Sequence, residues 1–108
     1  MTLERLLKII IKFRSLEPDL SFPEAHVLLL VALAGDDGIS LTDIAERSEL
    51  GLSTVSRHAA ALGKINRKHE EGLQLIQTHE DPMERRRRLA TLTGKGKAFM
   101  TQIMKEMT

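Results

Sequence analysis

The chain of 108 residues has no cysteine, tryptophan or tyrosine, and its only aromatic side chains are Phe13, Phe22 and Phe99. Without cysteine there is no disulfide framework, no thiolate metal site and no thiol nucleophile, which fits a reducing compartment. No apolar run approaches the roughly 18 residues that span a bilayer. Glu4, Arg5 and Lys8 interrupt the apolar residues at the start, so no secretory leader is read there and a cytoplasmic protein without membrane contact is expected. A phosphate-binding glycine loop and a His-Glu-x-x-His zinc helix are also missing. His69-Glu70-Glu71 and His79-Glu80-Asp81 would stand over about 20 Å apart on an extended segment, too far to share a metal. No catalytic residue, metal or cofactor is assigned, and an enzyme is not expected.

Net charge is only +1, without the excess of a strongly basic polyanion binder, so its distribution has to decide. Residues 53–97 carry ten basic and five acidic side chains, whereas residues 21–52 carry one basic and six acidic. Positive charge is gathered in the second half. The length is that of one domain, residues 1–108.

Residues 2–16 read as a helix whose apolar positions cover an arc of about 220°, much wider than the ~100° stripe that one core needs. The surplus calls for a second surface, and a homodimer is expected, with residues 1–20 and 97–108 as its helices around a core of residues 21–96. Leu6, Ile9, Ile10 and Phe13 on the first helix, with Phe99, Ile103 and Met104 on the last, are the predicted interface. The alternative is a helix wrapped by its own domain. Ser21 and Glu24 form a capping-box pattern. From Ala25 to Ala34 the next helix is apolar nearly all round and is expected at the buried centre; His26 on it is read as a packed core or interface residue.

Residues 40–62, SLTDIAERSELGLSTVSRHAAAL, hold two helix starts about one tight turn. Ser40 with Asp43 reads as a second capping box, and Glu49-Leu50-Gly51 is too short to separate independent helices. The second helix is predicted from Leu52 to about Lys68, with Gly63 as a weak point. Its wheel puts Val55, Ala59 and Leu62 on one side and Ser53, Ser56, Arg57, Lys64, Arg67 and Lys68 on the other. Thr54 lies at the edge, suited to a phosphate or the helix start, and His58 lies on the boundary. A polar face with hydroxyls first and cations later suits the major groove of B-DNA. Arg57 is the base-reading candidate because a guanidinium bonds bidentately to guanine.

Residues 73–79 and 86–92 are predicted as a β-hairpin with a moderately long loop, and Thr93 as the cap of a last amphipathic helix. Arg85, Arg86, Arg87 and Arg88 would alternate between its two faces, so the ribbon must project. A projecting cationic ribbon beside a groove-reading helix fits a wing in the minor groove. The alternative is that Glu80, Asp81 and Glu84 neutralise these arginines on a solvated surface. The expected fold is mainly α with a small β-hairpin, a winged helix-turn-helix.

The sequence resembles the MarR family of bacterial winged-helix regulators in LTDIAERSELGLSTVSRH, residues 41–58, and ERRRRLATLTGKG, residues 84–96, with likeness over roughly residues 22–99. Leu92, Thr93 and Gly96 match that family's wing signature, with Glu84 in place of its aspartate. The resemblance implies that Arg86 probes the minor groove and that Ser53, Ser56 and Arg57 occupy recognition-helix contact positions. Residues 63–72 exceed the family's usual connection, and the chain ends short of its longer C-terminal helical region. Control by a small-molecule effector is therefore not carried over. The expected function is sequence-specific binding of double-stranded DNA by a homodimeric transcriptional regulator, a repressor in direction. The rival readings are a winged-helix protein-interaction module and a DNA-binding replication or segregation factor of a phage or plasmid.

Overall fold

Side-chain caps set most of the helix starts. The computed structural model describes residues 1–64 and 70–108. Thr2 caps α1 (Leu3–Leu16), and Ser21 caps α2 (Phe22–Ala34) in a full capping box: its hydroxyl accepts from Glu24 N at 3.2 Å while Glu24 Oε1 accepts from Ser21 N at 3.0 Å. A 3-10 turn (Gly35–Asp37) leads to β1 (Ile39–Ser40) and α3 (Leu41–Ser48). Ser40 accepts from Asp43 N at 3.0 Å, but the box closes only on that side, because the Asp43 carboxylate faces Arg87 instead. α4 (Leu52–Leu62), β2 (Ile76–Asp81), β3 (Glu84–Leu92) and α5 (Gly94–Met107) complete the chain. Thr93 caps α5 by accepting from Gly96 N at 3.0 Å.

The turn between α3 and α4 holds Glu49 at φ 61°, a left-handed conformation usually given to glycine or asparagine. α4 stops at Leu62, earlier than the predicted end near Lys68. The physical reason is the returning chain, whose N–H groups occupy the last helical carbonyls: Leu73 N donates to Ala61 O at 3.0 Å and Leu75 N to Leu62 O at 2.8 Å. Such capping replaces the next helical turn. Arg67 and Lys68 lie outside the described residues.

The sheet is three-stranded and antiparallel in the order β1-β3-β2, so the short strand at Ile39 is part of the wing sheet, pairing with Ala90. The hairpin differs from its predicted form. β2 begins at Ile76, and only Pro82 and Met83 separate the strands, with Asp81 Oδ1 accepting from Met83 N at 2.9 Å. Glu80 pairs with Arg88 but Asp81 with Glu84, so Arg85, Arg86 and Arg87 sit in a bulge and do not simply alternate.

Val27, Leu28 and Val31 of α2, Ile44 of α3, and Val55 and Leu62 of α4 form the fully buried centre together with Leu75, Ile76 and Ala90. α2 is not buried all round as predicted. Phe22, His26, Leu29 and Leu33, at helical spacing, are exposed along one face, Phe22 by 82%. Ile9 and Phe13 of α1 pack with Phe99 and Ile103 of α5 inside the chain's own core, with the Phe13 and Phe99 rings edge-on at 5.3 Å. These four therefore differ in place from the other interface candidates, Leu6, Ile10 and Met104, which are exposed.

Gly72 and Gly96 are pressed against backbone carbonyls, those of Gly63 and Leu75, where a Cβ would overlap the oxygen. Gly96→Ala is expected to cost about 1–3 kcal/mol of stability. Glu49→Gly should gain roughly 0.5–1 kcal/mol, because relief of left-handed strain exceeds the added entropy of the unfolded chain. Urea midpoints of the two variants check both; shifts in the same direction would contradict the geometry.

Candidate nucleic-acid interface

The outward side of α4 carries the predicted reading residues. Ser53 and Arg57 are exposed one turn apart, Thr54 and Ser56 are half-buried beside them, and Lys64 is exposed just beyond the helix. Val55, Ala59 and Leu62 hold the opposite side in the core, which fixes the helix rotation. Gly51 at the N-cap supplies no capping side chain. The first-turn N–H groups and the positive end of the helix dipole thus remain available to an anion.

The arginine run divides by partner. Arg87 is committed within the fold, its Nη2 at 3.2 Å from Asp43 Oδ2 on α3 and its Nε at 3.9 Å from Asp81 Oδ2. This links the hairpin to the helix pair. Both ends of the Asp43 pair are about half exposed, so it orients more than it stabilises. Arg88 donates from Nη2 to Thr78 Oγ1 at 2.9 Å. Arg85 and Arg86 are exposed on the bulge, with no ion-pair partner among the described residues. The reading of a run neutralised by Glu80, Asp81 and Glu84 thus describes one arginine, Arg87, and one of those acids.

Between α4 and the sheet lies a groove of about 710 Å³, with Ser56 and Lys64 on one wall and Thr78 and Arg88 on the other. Lys95, read from the sequence only as part of a helix start, closes its end and donates to Leu73 O at 2.9 Å. A lysine between two glycines at a helix start carries no local sign of this, since α5 is aimed at the groove by packing far along the chain.

Solved structures share this fold. An S. aureus MepR–DNA complex matches with a TM-score of 0.74 at 25% identity, over 96% of this chain and 78% of that one. The chain is a MarR-like winged helix. RV1404 from Mycobacterium tuberculosis matches at TM-score 0.71 and 22% identity, covering 94% of this chain and 63% of that one. The PcaV transcriptional regulator from Streptomyces coelicolor, solved with its natural ligand, matches at 0.64 and 22%, over 96% and 68%. These neighbours are MarR-family transcription regulators, not enzymes. No protein-family model and no curated protein matches the chain. Among the described residues of this MarR-like fold, no helix is long and apolar enough to cross a membrane.

His58 lies half-buried on α4, at the edge of its outward polar face. Burial lowers its pKa from the ordinary 6.5 and Arg57 adds to this, while the Glu24 carboxylate opposes it. The neutral imidazole is therefore the form that the MarR-like fold accommodates. A depressed folded-state pKa means that the unfolded chain binds the proton more readily, so this contribution to stability is full above pH 6.5 and is lost as pH falls below it. Comparing denaturation at pH 7.5 and 5.5, His58→Gln is expected to shrink the acid loss seen in the parent protein. An equal loss in both proteins would rule out His58 as its source.

Proposed function

We propose that the chain binds double-stranded DNA sequence-specifically as a homodimeric transcriptional regulator, with α4 in the major groove and the β2–β3 hairpin in the adjacent minor groove. The observation that carries this reading is a polar helix face with an uncapped N-terminus beside a hairpin whose Arg85 and Arg86 have no protein counter-ion among the described residues. The MepR–DNA complex, on the same fold, supports it. Arg57 reads a base edge, Ser53, Thr54 and Ser56 hold bases or phosphates, and Lys64 holds the backbone. Arg86 enters the minor groove, where a narrow A-tract deepens the negative potential. Arg67 and Lys68 belong with the backbone contacts by sequence position. The direction of regulation proposed is repression, by exclusion of other proteins from the occupied site. A cytoplasmic location accords with such a role.

The dimer surface is the outward side of α1, where Leu3, Leu7 and Ile11 are more than half exposed at helical spacing, flanked by Leu6 and Ile10 and joined by Met104 of α5. Leu7→Glu with Ile11→Glu should convert the dimer to a folded monomer in sedimentation. A parent protein that sediments as a monomer at micromolar concentration would remove the dimer from the proposal.

Selection from a random duplex pool is expected to yield paired half-sites about one helical turn apart. Affinity for the selected duplex should fall steeply with salt, by a log-log slope of about −0.9 per phosphate contacted. Absence of binding to any duplex at low salt would overturn the DNA reading. Arg57→Ala should relax preference at one position per half-site and cost roughly 1–3 kcal/mol, whereas Lys64→Ala should weaken all sequences alike. Equal effects of the two on every sequence would remove Arg57 from base reading.

A further inference from the structure

Five cations among the described residues are held by the chain itself, in two ways. Arg87, Lys97 and Lys12 each lie within 4.0 Å of a carboxylate, those of Asp43, Asp36 and Glu106. Arg88 and Lys95 are instead fixed by neutral oxygens, the hydroxyl of Thr78 and the carbonyl of Leu73, each at 2.9 Å. A neutral acceptor orients a cation without cancelling its charge, and an ammonium or guanidinium keeps further donors for another acceptor. Both cations line the groove between α4 and the sheet, with Lys64 as a third, and its described lining contains no aspartate or glutamate.

The groove's place in the fold says which anion it suits. With α4 in the major groove and the hairpin in the neighbouring minor groove, the phosphodiester strand that separates the two grooves must cross the concavity between helix and hairpin. We propose that this groove seats that strand, with Arg88 and Lys95 as its fixed phosphate contacts. The inference rests on the DNA reading above and adds to it Lys95, a contact on a helix outside the helix-turn-helix and the wing. Both contacts hold the protein on the duplex without reading sequence, because a phosphate is the same at every base pair.

The test measures duplex affinity against salt for the full chain, on the selected duplex and on a scrambled one. Arg88→Gln and Lys95→Gln should each flatten the log-log slope by about 0.9 per bound subunit, about 1.8 for the dimer, and each should weaken both duplexes by the same factor. Lys95→Arg should restore the slope. Lys105→Gln, at the far end of α5, should leave it unchanged, and circular dichroism establishes that each variant is folded. Parental slopes in folded Arg88→Gln and Lys95→Gln would overturn the inference while leaving the DNA reading intact. A parent protein that binds no duplex removes both. A second arm titrates sodium pyrophosphate into the free protein. Saturable binding that Lys95→Gln abolishes, with duplex slopes unaltered, would assign the groove to a small phosphorylated molecule and overturn its role as a strand seat.

Discussion

Leu75 is the joint on which the arrangement of helix, sheet and final helix depends. Its side chain is fully buried, its N–H donates to the last carbonyl of α4, and its own carbonyl accepts from Thr93 N at 3.0 Å. Gly96 is pressed against that same carbonyl, so α5 begins at a place set by the end of α4. A buried backbone group left unpaired is costly, and here both polar groups of one residue are satisfied by different elements. The joint ends α4 at Leu62, starts β2 one residue later and brings Lys95 to the groove. Three separate elements thus share one set of backbone hydrogen bonds.

From that joint outward, the electrostatics are sorted by partner more than by number. A net charge of +1 conceals cations of different standing. Arg87 is consumed in linking the hairpin to α3, and Lys97 and Lys12 face carboxylates of their own chain. Arg88 and Lys95 are oriented without being neutralised, while Arg85 and Arg86 stand on a bulge that carries them away from the ladder. The same residue type in one run of four therefore has three roles, and the register shift at Glu80 and Asp81 separates them. Nine of the fifteen acidic side chains lie before α4, and the described lining of the groove has Lys64, Arg88 and Lys95 but no aspartate or glutamate.

Apolar surface is divided in a comparable way. The Phe13 and Phe99 pair closes α1 onto α5 within one chain, and that contact uses only part of the apolar arc of α1. Leu3, Leu7 and Ile11 remain outside, and the outward side of α2 adds Phe22, Leu29 and Leu33. On each of these two helices the exposed apolar residues recur at helical spacing and are not scattered singly. The helices that build the core also present its continuation outward.

Periodicity and capping chemistry made the helices, the tight turn and the existence of a hairpin legible, because they depend on residues within a few positions of one another. Ser21 with Glu24, Thr93 as a helix cap, and Val55 with Ala59 and Leu62 are local patterns, and the structure contains them as read. The family likeness of residues 41–58 and 84–96 was legible for the same reason, since its motifs are short and contiguous. The end of α4, the three-residue bulge, the pairing of Arg87 with Asp43 and the position of Lys95 could not be read this way. Arg87 meets Asp43 and Lys95 meets Leu73 across 44 and 22 residues, the end of α4 is set by residues 12 and 13 further on, and the bulge by the register of two facing strands. Competition for a carbonyl or a carboxylate is decided only when the competing groups share one space. By itself the sequence determined which faces are apolar and which are basic. The tertiary structure decided which cations are already satisfied and which are left for a partner.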